Sequence, residues 1–368
     1  MARRIRKSPW AGALSRTFNA MTRATLRAST RAVVKAAKKV ARQAVAKAAR
    51  KTTPRKPPRV RAARTASAGA AAGAPSNTPA KAAGAGAACS AMAIGASGAR
   101  RYQLFKPPGA RKSTPLPLLV MLHGCAQDAQ AFARSTRMNR LAAREGFIVL
   151  WPEQDRLANS QGCWNWFDTR AGRAYKEAAS IVSAIDDVCA RHGADPARVA
   201  VAGLSAGASL AALLATRYPE RFKAVAMHSG IAPGAANSTA TALAAMQGRR
   251  KPAALAMASA GAAALPPLLV IHGTADTLVR PGNGRAAAQA WADAAGAQAT
   301  APRTVQRGKR YPVTVTDFKL KARVVASLCE IAGLGHAWSG GAASQAFSDP
   351  KGPNASRMIW AFAARQFR

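Results

Sequence analysis

Acidic residues are missing from the first third of this chain. No Asp or Glu precedes Asp128, although 26 of the 55 lysines and arginines do. A stretch so one-sided cannot neutralise itself, which argues against a packed core there. Beyond it 29 basic residues meet 15 acidic ones, a balance that a folded domain can carry. Cysteine is sparse. The five (Cys89, Cys125, Cys163, Cys189, Cys329) form no C-x-x-C pair and no Cys/His cluster at zinc spacing. A structural metal site is therefore not expected, and the odd number leaves at least one thiol free. No run approaches the roughly 18 apolar residues of a membrane-spanning helix. Arg16, Asn19, Thr22 and Arg23 interrupt Pro9 to Leu26, so the apolar core of a secretory signal is missing as well. Histidine is also rare, with five in the whole chain, which narrows the choice of any general base.

The chain divides into three stretches by composition. Residues 1–66 are a basic tail rich in Ala, Lys and Arg, in which Val33, Ala37, Val40, Ala44 and Ala48 recur at helical spacing beside lysines and arginines. They describe one basic amphipathic helix, stopped by the proline-rich run from Pro54 to Pro58. Residues 67–98 are Ala/Gly/Ser/Pro low complexity and read as a linker, with too few large apolar groups to offset chain entropy. From residue 99 the pattern changes. Tyr102–Phe105, Leu116–Leu122, 146–151, Val199–Leu204, Ala224–His228 and Pro267–His272 read as strands. Helices are expected over 129–144, 176–192, 206–218, 283–295 and 356–364, and Val313–Phe318 is expected to pair with Ala326–Ile331. Strands alternating with helices predict an α/β fold with a mostly parallel sheet covered on both faces. The irregular, alanine-rich stretch 231–265 stands where a lid would lie.

The strand Val199–Leu204 runs through Gly203-Leu204-Ser205-Ala206-Gly207 into an alanine-rich helix. A strand that turns this sharply needs glycine-sized neighbours, and it presents its apex residue, Ser205, at a helix N-terminus that favours negative charge. The serine needs a base. His123, His228 and His272 each end an apolar strand and His192 closes a helix, whereas His336 lies in the glycine-rich loop from Gly333 to Gly341. Triads on this architecture run in the order Ser, acid, His, which selects His336. The acid belongs after the strand between them, where His272-Gly-Thr-Ala-Asp276 offers Asp276. Asp293 and Asp317 are weaker alternatives, set within a helix and a strand. One oxyanion donor is expected from the N–H of Ala206 and the other from the loop His123-Gly124-Cys125, in which His123 itself reads as structural. Trp164 and Trp166, in Cys163-Trp-Asn-Trp-Phe167, and Trp338 are candidates for the walls of an apolar substrate site. No cofactor is called for.

Taken together, LVMLHGCAQ, WPEQ, GCWNWF, DPARVAVAGLSAGAS, YPERFKAVAMHSG, IHGTADTLVRPGN and GLGHAWSGG resemble the polyhydroxybutyrate depolymerase family of esterases, related to feruloyl and acetylxylan esterases. The resemblance spans residues 100 to 368 and implies an α/β-hydrolase fold. It implies a Ser205, Asp276, His336 triad, oxyanion donors at Cys125 and Ala206, and a substrate contact at Trp164. It further implies a Cys125–Cys163 disulfide, with Cys189–Cys329 as a second pairing. The substrate class it implies is a short-chain hydroxyalkanoate polymer or oligomer, with feruloyl or acetylxylan esters as the alternative. Polymer depolymerases of this kind carry a substrate-binding module after the catalytic domain. None follows here before Arg368, so soluble esters, oligomers or amorphous granules are expected rather than crystalline polymer. The resemblance implies an extracellular enzyme, whereas no signal peptide is recognisable, so a cytoplasmic or granule-associated location is the alternative. A reading of another class makes the basic tail the working part, binding a polyanion or a granule surface beside a vestigial hydrolase domain.

Overall fold

The computed structural model describes residues 86–253, 255 and 264–368. The tail helix and most of the linker read from the sequence lie outside them. The described residues build an α/β-hydrolase fold around an eleven-stranded mixed sheet. Its strands are β1 (Ala87–Gly95), β2 (Gly98–Lys106), β3 (Leu116–Leu122), β4 (Ile148–Pro152), β5 (Ala194–Leu204), β6 (Ala224–His228), β7 (Leu268–Gly273), β8 (Gln298–Ala299), β9 (Arg303–Val305), β10 (Val313–Leu320) and β11 (Arg323–Ile331). The order across the sheet is β1-β2-β4-β3-β5-β6-β7-β11-β10-β8, with β9 paired to β10. From β4 to β11 every neighbour is parallel, and the hairpins β1–β2 and β10–β11 flank that centre with antiparallel pairs.

The central strands are apolar throughout because both faces are covered. Leu118, Val120, Leu122, Val199 and Val201 face one layer, formed by α3 (Arg173–His192), α4 (Ala206–Arg217) and α6 (Gly282–Ala295). Leu119, Met121, Val149, Ala200 and Ala202 face the other, formed by α1 (Ala129–Thr136), α2 (Met138–Glu145) and α7 (Ala355–Gln366). On α3, Ile181, Ile185 and Val188 recur at helical spacing and are fully buried, which fixes the face it presents to the sheet. Among the described residues no helix is long and apolar enough to cross a membrane.

Three differences from the sequence reading have local causes. The sheet begins at Ala87, within the stretch read as linker. Residues of β1 are mostly exposed, its larger apolar side chains Met92 and Ile94 among them, so its order comes chiefly from pairing with β2 from Ala87↔Lys106 to Gly95↔Gly98. The helix expected over 129–144 is two helices. Arg137 turns left-handed (φ 55°) between them, where its N–H still reaches the Ala133 carbonyl and Thr136 Oγ1 accepts the Met138 N–H. Within the stretch read as irregular lies α5 (Thr239–Met246), started by a reciprocal cap between Ser238 and Thr241.

Phe132 of α1 meets Trp151 of β4 and Trp338 edge to face, at 5.7 and 5.2 Å between ring centroids. It is one of the contacts through which the second helical layer supports the segment after β11. Phe132→Leu is expected to cost ~1–2 kcal/mol in urea unfolding and to lower thermal stability without changing the secondary-structure signal.

Candidate active site

The ends of β3, β5, β7 and β11 bring the sequence-selected residues to one edge of the sheet. Ser205 sits between β5 and α4 with φ 57° and ψ −120°, a conformation rare outside glycine. Its N–H donates to the His228 carbonyl at 2.9 Å, and its carbonyl accepts the Ser209 N–H at 3.0 Å. The flanking glycines are sterically required. A Cβ on Gly203 would overlap the backbone of Gly207, and one on Gly207 would overlap the Leu122 and His123 carbonyls of the neighbouring strand. As the first residue of α4, Ala206 has an N–H with no intrahelical partner, so it is available to a ligand.

Asp276 follows β7 and is buried. Its Oδ1 accepts the Leu278 and Val279 N–H groups at 3.0 and 2.9 Å, and its Oδ2 lies 2.8 Å from His336 Nδ1. That bond puts the proton on Nδ1 and leaves Nε2 as the free nitrogen of His336. Two loops zipped together carry the pair. Thr274 N–H donates to the Ile331 carbonyl and Ala275 N–H to the Leu334 carbonyl, and Gly333 N–H donates to Thr274 Oγ1. A second histidine supports the acid. His272 Nε2 donates to the Val279 carbonyl at 2.9 Å and lies 3.5 Å from Asp276 Oδ2. Burial pushes the Asp276 carboxyl upward, but the hydrogen bonds from His272 and His336 outweigh it and hold the group well below the usual carboxylate range.

No hydrogen bond joins the Ser205 hydroxyl to His336 among the described residues. Their loops are tied instead through His228. The same residue whose carbonyl holds the Ser205 N–H also receives the Ser339 N–H on its ring Nε2, at 3.2 Å, three residues past His336. Its Nδ1 then donates to Ser229 Oγ at 3.1 Å, and the ring stacks on Trp338. Burial, with the neighbouring His272 and His336, pushes the His228 imidazole down to about 3.

The loop after β3 lies against the serine, since a Cβ on Gly124 would stand 3.6 Å from Ser205 Cβ. Gly124 N–H is occupied by Gln127 Oε1 and Ala126 N–H by the Gln161 carbonyl, so Cys125 N–H is the one between them left without a partner among the described residues. A Cys125–Cys163 disulfide fastens this loop to the one after β4, and Cys89, Cys189 and Cys329 are free, so the second pairing does not form. Cys189 is on α3, over one face of the sheet, and Cys329 is on β11, packed in the core of the other face.

Behind the loop, His123 Nδ1 donates to the Gly124 carbonyl and Nε2 accepts the Gln154 N–H. Burial pushes this imidazole down to about 4. Gln154 also bridges Arg100 and Glu177, and Glu177 accepts the backbone and side-chain N–H groups of Asn165. Every member of that network is buried.

The tryptophans are placed differently from the sequence reading. Trp164 is fully buried, with its indole N–H on the His123 carbonyl and its ring beside His123, so it supports the loop from behind. Trp338 is fully buried too and donates to Ser356 Oγ, and Trp166 is buried against Phe167. None of the three offers an open wall. Asp293 stays on α6 with Gln289, and Asp317 on β10 with Ser327 and Arg303. The supporting roles of His228, His272, Gln127, Gln154 and Glu177 have no spacing signal; the polar residues ending apolar strands were the one hint. Among the described residues no group of three or more His, Cys, Asp or Glu side chains is arranged to hold a metal ion.

Such a sheet, with a strained serine at a strand-to-helix turn, defines an α/β hydrolase. Residues 100–310 match the family described as esterase PHB depolymerase, and the chain belongs to it. It is 34% identical over 189 residues to poly(3-hydroxyalkanoate) depolymerase C of Paucimonas lemoignei, covering 49% of this chain and 45% of that protein. Feruloyl esterase B of Thermothelomyces thermophilus is 31% identical over 198 residues, 50% of this chain and 67% of that one. The chain thus spans about half the length of the depolymerase. An acetyl xylan esterase structure from Aspergillus awamori shares the fold with a TM-score of 0.56 at 21% identity, over 68% of this chain and 94% of that one.

The buried histidines set an acid limit. His123 and His228 protonate in the unfolded chain near pH 6.5 but in the native protein only near pH 4 and 3. Between those values the unfolded state binds more protons, so stability falls as pH falls, by on the order of 1 kcal/mol per pH unit for each histidine. Urea midpoints at pH 7, 6 and 5 are expected to decline in that order, and replacing His228 with Gln is expected to flatten the decline.

Proposed function

We propose that the protein is a serine carboxylic ester hydrolase that works through an acyl-enzyme. Ser205 Oγ attacks the ester carbonyl carbon while His336 Nε2 takes its proton, and Asp276 holds the imidazole by Nδ1 and stabilises its charged form. The oxyanion is received by the N–H groups of Cys125 and Ala206, each worth about 3 kcal/mol in the transition state. Collapse expels the alcohol, which takes the proton from His336. Water, activated by the same imidazole, then releases the acid and restores Ser205. The observation that carries this reading is the His336–Asp276 bond of 2.8 Å at the sheet edge that also carries the strained serine turn.

For the substrate, the poly(3-hydroxyalkanoate) depolymerase relative supports hydroxyalkanoate polymers or oligomers. The feruloyl and acetylxylan esterase relatives support the alternative, an acetyl or feruloyl ester. The Cys125–Cys163 bond fits an oxidising compartment and supports the extracellular reading. Ser205→Ala is expected to lower kcat on p-nitrophenyl butyrate at least about 10⁴-fold with an unchanged circular dichroism spectrum. Wild-type turnover in that variant would refute the mechanism.

The basic tail 1–66 supports a second role, carrying the hydrolase to a polyanionic surface. The full chain is then expected to bind DNA or anionic vesicles at low salt and to release them steeply as salt rises, whereas a chain beginning at Gly86 binds far less. Equal binding by the two would dismiss the tail's role.

A further inference from the structure

We propose that Phe347 is the apolar wall for the alcohol side of the ester and selects alkyl alcohols over polyols, an inference that rests on reading His336 as the group that protonates the leaving alcohol. The three tryptophans expected to line the site are buried and offer no open face. Phe347 stands edge to face against His336, with ring centroids 6.5 Å apart and planes at 85°. It is partly exposed, while its inner side packs on the core layer that holds Trp338. The position lies beyond the stretch that matches the family, residues 100–310.

The backbone gives an independent reason. Phe347 has φ 54°, in a region that disfavours a bulky side chain. Its surroundings over-determine that conformation. Its carbonyl accepts the Trp338 N–H at 2.7 Å, and the Asp349 carbonyl accepts the Gly340 N–H at 2.7 Å. Ser348 Oγ meets Ser135 Oγ of α1 at 2.6 Å. A phenyl ring is thereby held beside the imidazole at a cost a glycine would avoid, and such strain is characteristic of functional positions. In the proposed mechanism the proton carried by His336 Nε2 goes to the oxygen of the departing alcohol, and a ring standing against that imidazole is within reach of the alcohol's first carbons. A phenyl edge gains from desolvating an alkyl chain, such as the next unit of a hydroxyalkanoate oligomer, and gains little from a hydrated polyol.

The test holds the acyl group constant and varies the alcohol: ethyl, butyl and benzyl acetate against glycerol monoacetate, with wild type, Phe347→Ala, Phe347→Gly and Ser205→Ala. The ratio of kcat/KM for butyl acetate to that for glycerol monoacetate is expected to fall about 10-fold in both Phe347 variants, mainly through KM. The Gly variant relieves the backbone strain, so equal loss in the two assigns the effect to the ring. An unchanged ratio, or a uniform fall for every alcohol, overturns the inference while leaving the esterase reading in place. A wild-type chain no more active than Ser205→Ala overturns that reading, and this inference with it.

Discussion

His228 is the junction on which the site's geometry depends. It ends β6, in register with Leu204 at the end of β5 and with Ile271, two residues short of the end of β7. One residue then makes two bonds of different kinds. Its carbonyl fixes the serine turn, and its ring nitrogen fixes the loop that carries His336. The second bond needs a lone pair on Nε2, and burial secures it by keeping the ring neutral. A charged imidazole there would turn an acceptor into a donor facing a backbone N–H, and the two loops would lose their common reference. Trp338, stacked on the same ring, adds a rigid plane that opposes rotation about the side chain.

The need for close approach at the serine turn runs through the surrounding composition. Gly203 and Gly207 are required where β5, α4 and β3 crowd together, and Ala200, Ala202, Ala224 and Ala226 line the adjoining face of the sheet. Small residues bring elements close but leave volume elsewhere, and interiors are filled to near-crystalline density. The large rings supply that volume. Trp151 and Trp338 fill the layer over α1, Trp291 fills the space under α6, and Trp164 fills the space behind the loop after β3. These buried rings act as spacers for an alanine-rich interface, which is how Trp164 and Trp338 come to lie inside instead of forming the open wall expected from the sequence. Phe347 differs from them in being partly exposed and in having a backbone held where its side chain is disfavoured.

What was legible in the sequence follows from the range of the interactions. The strand Leu116–Leu122 could be read to the residue, because continuous burial on both faces writes a continuous apolar run. The serine turn was readable because close packing demands glycine, and the pairing of Asp276 with His336 because loops at strand ends follow chain order. β1 was not readable, since its residues are mostly exposed and its stability is lent by β2. The break at Arg137 was hidden as well, because a left-handed arginine carries no local mark. The residues that hold the site's loops from behind were least visible. His228, Gln154 and Glu177 act through partners up to 111 positions away, and no spacing rule connects them.

Electrostatics explains how a site assembled from such distant pieces keeps one geometry. The Asp276 carboxylate is buried, so it must be fully solvated by the protein or give up its charge. Four groups attend it: the Leu278 and Val279 N–H groups on one oxygen, and His336 with the more distant His272 on the other. A carboxylate gripped on both oxygens has no freedom to rotate, and its direction is passed to the His336 ring. His272 is itself held by the Val279 carbonyl, in the same turn whose N–H serves Asp276, so the acid and its support close a small ring of bonds. The negative charge is thereby fixed in place, and in the proposed mechanism the charged imidazole formed during attack finds its counterion already oriented. In the proposed mechanism the remaining adjustment then falls on the Ser205 hydroxyl, which makes no hydrogen bond to His336 among the described residues.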